Sequence, residues 1–204
     1  MKQLICYIIF ILSSTLLSAQ VLVSVDFQKN SFLTINGSTN IIPFKLSENI
    51  ERISKKNISI TTIQSQNKVV LSQNQFLFAV NSFTSDNKMA LRDFLKLLKS
   101  DEYPNMQVEV NALELQPNAD QQQLINGKAI VNITITGVTK QYTIPISYIH
   151  EGDLFNVNGK KKMSIRDFKL IPPIQLMGLI KVSEWIDIDF HLVCKITTEN
   201  TANL

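Results

Sequence analysis

Asp187, Asp189 and His191 stand two residues apart, so in an extended strand they share one face, a spacing at which carboxylates and an imidazole can hold a divalent ion. The wet outer face of an amphipathic strand accounts for the same three residues, and no metal is assigned to them. Glu184 interrupts an otherwise apolar face. Buried alone its carboxylate would cost several kcal/mol, so it is expected in water at a strand end or paired with a Lys or Arg. Arg92-Asp93 and Arg166-Asp167 both fall in the pattern M-x-[LI]-R-D-F; the first reads as helix and the second as strand, so the echo is not a structural repeat. Catalytic residues are scarce. His150 and His191 are the two histidines, Cys194 falls on a dry strand face where a thiol is inert, and neither a G-x-S-x-G turn nor an H-x-x-x-H pair occurs. Six scattered glycines make no phosphate-binding loop, and no cofactor is called for.

The elements that must position these residues follow a period of two. From residue 180 to 196 the even positions are apolar except Glu184, while the odd ones are mainly Lys, Ser, Asp, His and Thr. Successive side chains of a strand point to opposite faces, so this is one long strand with a dry and a wet side. Residues 128–137 and 142–148 repeat the pattern and are joined by Gly137-Val138-Thr139-Lys140, short enough for an antiparallel hairpin. Further strands are predicted at 75–83, 106–115, 57–63 and 161–170, with weaker ones at 21–27 and 41–47. One helix stands out, capped by Asp86 or Ser85, with Leu91, Phe94, Leu95 and Leu98 at i, i+3, i+4 and i+7 and an end before Pro104. Pro172-Pro173 forces a break before the last strand, and the polar stretch 117–126 reads as an exposed loop. Antiparallel strands with one apolar face must cover it with another sheet or close on themselves. Long strands favour closure, giving an all-β antiparallel barrel of about eight strands with one short helix.

Composition limits what such a barrel does. A chain of 204 residues with 45% hydrophobic and 18% charged residues is one domain, and a net charge of +3, evenly spread, makes nucleic acid an unsuitable partner. Two cysteines cannot form a disulfide framework. Lys2, the apolar run at residues 4–12 and the following SSTLLSAQ read as a secretory signal peptide cleaved after Ala19, too short to span a bilayer. Cys6 would leave with it, so Cys194 would have no partner, and residues 20–204 would be a periplasmic or secreted domain. Lys160-Lys161-Lys162, after Gly159, read as a charged turn with a lesser capacity to meet an anionic membrane, at about 1 kcal/mol per charge.

Several stretches resemble the YceI-like family of exported, polyisoprenoid-binding bacterial proteins. GSTN at residues 37–40 followed by Phe44 is similar to its opening strand. Residues 82–108, SFTSDNKMALRDFLKLLKSDEYPNMQV, are similar to its strand, helix and "yP" turn. NGKAIVNITITGVTKQYTIPI at 126–146 resembles its "G-L-T-I-x-G-V-T" hairpin, and KKMSIRDF at 161–168 with the strand from residue 180 resembles its closing elements. The resemblance implies a lipocalin-like barrel that binds, stores or transports an amphiphilic isoprenoid, such as a polyprenyl quinone or related lipid, without catalysis. The residues expected to line the lumen are the apolar alternates Phe76, Phe78, Val80, Val131, Ile133, Ile135, Tyr142, Ile144, Ile146, Ile186, Ile188 and Phe190. Ordinary core packing would place any one of them inward equally well. Arg166, if turned inward, would hold a phosphate or a quinone oxygen; the lesser alternative for Glu184, beside water or an ion pair, is a polar headgroup at the mouth. The rival readings are a structural or protein-interaction barrel filled by its own side chains, and a hydrolase or isomerase for small hydrophobic substrates, for which no catalytic set exists. An isologous homodimer through an exposed barrel face is a further expectation.

Overall fold

The alternation along the chain is realised as antiparallel strands in a computed structural model, which describes residues 20–50, 56–63, 67–72, 74–116, 124–175 and 178–198. The proposed signal segment, Cys6 and most of the polar loop after Pro117 lie outside the described residues. In chain order the strands are β1 (Gln20–Phe27), β2 (Phe32–Ser38), β3 (Pro43–Asn49), β4 (Lys56–Ile63), β5 (Lys68–Ser72), β6 (Gln75–Ala79), β7 (Asn105–Leu115), β8 (Ile125–Ile135), β9 (Val138–Glu151), β10 (Leu154–Ser164), β11 (Ile174–Gln175), β12 (Ile180–Lys181) and β13 (Trp185–Thr198). The helix α1 (Lys88–Leu97) sits between β6 and β7.

These strands form an up-and-down antiparallel barrel whose wall has eight members, because three of them are split. β1 and β2 run along the same edge of β13, β2 against its first half and β1 against Cys194–Thr198. The break between them is filled by Ser31, whose hydroxyl bonds both the N–H and the C=O of Val193. β3 pairs with β2 and β4 with β1, and β5 and β6 both pair with β7. The ladder then runs β7–β8–β9–β10–β13, and β13 returns to β1 and β2. On the shorter side, backbone bonds in both directions between Ser47 and Thr84 join β3 to the chain beyond β6.

Local chemistry sets the joints. Thr136 and Gly137 both take positive φ, 47° and 76°, the two-residue turn whose twist suits a hairpin. At the split between β5 and β6 the buried Asn74 side chain replaces a missing rung, donating to Val110 C=O at 2.8 Å and accepting from Val110 N–H at 2.6 Å. The β7 register shifts beside it, between Val110 and Ala112, so the inward residues change from even to odd numbers along that strand. α1 is capped by Asn87, which accepts from Met89 and Ala90 N–H, instead of Ser85 or Asp86; the Ser85 hydroxyl takes the Asn87 N–H one step earlier.

Two predicted strands end early. The one read at 75–83 stops at Ala79 and turns through a 3₁₀ segment, Val80–Ser82, to reach the helix. The one read at 161–170 is the end of the longer β10, followed by a 3₁₀ turn at Ile165–Phe168 that contains the second R-D-F. The last strand, read as unbroken from 180 to 196, is interrupted at 182–184 between β12 and β13. Lys160–Lys162 lie within β10 and form no turn. Lys160 pairs with Asp189, and Lys161 and Lys162 lie over the rings of Tyr142 and Trp185.

Candidate functional site

Apolar faces of the wall strands from β1 to β3 and from β5 to β10, with β13, enclose a cavity of about 530 Å³. On β13 its lining runs from Ile186 through Ile188, Phe190, Leu192 and Cys194 to Ile196. Ten residue steps at about 3.3 Å make it roughly 33 Å long along the strand. The facing wall is supplied by β7 (Met106, Val108, Val110), β8 (Ala129, Val131, Ile133, Ile135) and β9 (Ile144, Ile146), and α1 covers one end with Phe94, Leu97 and Leu98. Asp93 is the single charged residue on this lining among the described residues. Thr39, Asn87 and Ser183 are near it at the α1 end, while Tyr148 is the polar group toward the opposite end. Burial raises the pKa of the Tyr148 hydroxyl, which therefore stays a neutral donor. Burial also pushes the Cys194 thiol up to about 12, so it remains protonated and unreactive.

The structure gathers ten of the residues read as lumen lining around this cavity: Phe76 and Phe78 of β6, Val131, Ile133 and Ile135 of β8, Ile144 and Ile146 of β9, and Ile186, Ile188 and Phe190 of β13. The other three do not line it. Val80 belongs to the 3₁₀ turn and is buried with Ile35, Leu46, Phe83, Leu98 and Met106 in the core beneath α1. Tyr142 packs its ring, tilted, against Phe168 at 6.1 Å between centroids, and its hydroxyl donates to Asp167 at 2.8 Å. That hydroxyl's pKa is raised by burial first and by the Asp167 bond second. Arg166 points outward, exposed, into an ion pair with Glu184, so neither residue meets a headgroup inside the barrel. The pairing of Glu184 with an arginine is the one the cost of a lone carboxylate requires.

Two of the three residues read as metal-ligating, Asp189 and His191, are occupied otherwise on the outer wall. Asp189 takes Asn36 Nδ2 at 2.7 Å as well as Lys160, and His191 bonds Asn158 Oδ1 and packs on Phe32.

Sequence reasoning missed the lining from β2 and β3 (Leu33, Ile35, Phe44, Leu46) and from the chain after β10 (Ile165, Phe168, Leu170). The alternate positions 33, 35, 44 and 46 do carry the period-two signal, but over runs of two residues it is too short to stand out. Arranged in this way, the site can hold a long apolar chain in continuous apolar cover with a few polar groups at its ends; it presents no nucleophile and base within bonding reach among the described residues.

Comparison with known proteins agrees with this architecture. The YceI-like domain model matches residues 24–194. Among solved structures, BcnA of Burkholderia cenocepacia superposes with a TM-score of 0.58 at 15% identity, covering 82% of this chain and 99% of that one. A polyisoprenoid binding domain from Saccharophagus degradans, described as implicated in plant cell wall breakdown, gives 0.58 at 12% identity, covering 87% and 99%. At such identities the likeness is one of fold. No curated protein sequence matches the chain. With a closed eight-membered wall, an apolar lumen and a family match over most of its length, this chain belongs to the YceI-like family.

Proposed function

We propose that the protein is an exported, non-enzymatic carrier that holds one amphiphilic isoprenoid lipid, of the polyprenyl quinone kind, inside the barrel. The observation that carries this reading is the unbroken apolar lining from Ile186 to Ile196, closed on the facing side by β7, β8 and β9. A polyprenyl tail is apolar along its length and needs no hydrogen-bond code. Its burial gains roughly 25 cal/mol per Å² removed from water. A barrel serving only as a structural or interaction module would have this space filled by its own side chains, and the 530 Å³ cavity speaks against that. The likeness to a polyisoprenoid binding domain supports the choice of lipid class. Export rests on the hydrophobic run at residues 4–12, which is expected to be removed and to deliver residues 20–204 to the periplasm or medium.

The test is to purify the folded protein from its host, extract it with organic solvent and weigh the extract by mass spectrometry. One isoprenoid species per chain is expected; a clean extract from a folded, monodisperse protein would overturn the carrier.

A further inference from the structure

The end of the barrel that carries α1 is ringed by large apolar side chains that face water. Ile41 and Ile42 stand at the β2–β3 tip, Met89 in the first turn of α1, and Ile171, Ile174 and Leu179 on the segment between β10 and β13. Ile171 is 75% and Leu179 73% exposed, the most exposed large apolar residues among those described. They form one patch because the chain ties them together: Asn40 donates to the carbonyls of Leu179 and Lys181 and accepts the Lys181 N–H at 2.9 Å, and Thr39 bridges to Val182. Ile41, Ile42 and Met89 also line the cavity, so the patch is the rim of its mouth.

Charge distinguishes the two ends. Lys88 adjoins Met89, Lys169 lies two residues before Ile171 and Lys181 two after Leu179, and no ion pair involves any of the three among the described residues. Of the carboxylates nearby, Glu184 is paired with Arg166 and Asp93 lies on the cavity side of α1; Asp167, which accepts the Tyr142 hydroxyl, and Asp86, two residues before Lys88, keep their charge among the three lysines. The opposite end also shows apolar residues, Leu124, Ile149 and Leu154; none is as exposed as Ile41, Ile171, Ile174 or Leu179, and they stand near Glu151 and the Lys195–Asp153 ion pair. A contiguous apolar rim edged with ammonium groups suits an interface with acyl chains below and anionic headgroups above.

We infer that this end of the barrel docks on the surface of a bilayer containing anionic lipid, setting the mouth of the cavity against the membrane. Docking itself requires no cargo; its use for loading and unloading rests on the lipid-carrier reading. Trp185, the single tryptophan, is half exposed at the start of β13 on the same end and serves as a built-in reporter.

The experiment is titration of the purified protein with vesicles of phosphatidylcholine containing a quarter phosphatidylglycerol, followed by co-sedimentation and by Trp185 emission. Binding with a blue shift is expected. Ile171→Ser combined with Leu179→Ser should weaken it about tenfold or more, while Leu154→Ser at the other end should leave it unchanged. Lys169→Glu with Lys181→Glu should remove most of the dependence on phosphatidylglycerol. Circular dichroism of each variant establishes that it is folded. The inference is overturned if the wild type does not bind, if Leu154→Ser costs as much as the rim pair, or if the rim instead forms a concentration-dependent dimer that the rim pair abolishes while vesicles are ignored. An empty solvent extract from a protein that still docks would refute the carrier reading alone.

Discussion

Gly159 and Phe190 face one another across β10 and β13, and a Cβ on the glycine would overlap the phenyl ring. A mid-strand glycine thus makes room for a ring that lines the cavity, although from sequence alone Gly159 reads as the opening of a charged turn. Gly159→Val should force Phe190 off its rotamer and cost about 1–3 kcal/mol in urea denaturation. Cys194 offers a second check. Its thiol is held protonated by burial, with a pKa near 12, so a thiol reagent at mildly alkaline pH should label it only as fast as the barrel opens. Because the folded pKa is raised, the neutral thiol favours the fold below the thiol's ordinary range, and that contribution falls as pH rises from there toward 12. Stability measured between pH 8 and 11 should therefore decline less steeply in Cys194→Ala than in the wild type. Which face a residue takes is readable at this scale, since period two is a property of the extended backbone. How far along the barrel it sits is not. Tyr142 shares its face with Ile144 and Ile146, yet it lies against Phe168, because the chain that follows β10 folds back over that end.

Among the elements, the split strands carry the most information about how the wall holds. Asn74 stands where the β5–β6 rung is missing and satisfies both polar groups of Val110. Asn74→Ala should leave two buried backbone groups unpaired and cost about 2–4 kcal/mol, measured as a lower urea midpoint with an unchanged slope; Asn74→Asp, which keeps the acceptor only, should fall between. The long runs in β8, β9 and β13 and the hairpin at Gly137 were legible because each is many residues of uninterrupted alternation ending in a turn. Short elements such as β2, β5 and the 3₁₀ turn at Ile165–Phe168 were not. Their limits come from tertiary bonds, including Ile165 N–H to Glu184 C=O at 2.9 Å, which no local pattern encodes.

At the scale of the whole molecule, eight antiparallel wall strands, one covering helix and a continuous apolar lumen make a container whose useful dimension is length. An occupant held by apolar cover alone should bind in proportion to the chain it buries. Val131→Trp, which fills the middle of the lumen from β8, should keep the fold and exclude the occupant. The most direct measurement is titration of the delipidated protein with polyprenyl benzoquinones of increasing tail length, beside the same ring without a tail, following Trp185 and tyrosine emission. One ligand per chain is expected, with affinity rising about tenfold or more for each added isoprene unit until the roughly 33 Å lining is full. Equal affinity for the tail-less ring, or no binding by any member of the series, would contradict the account.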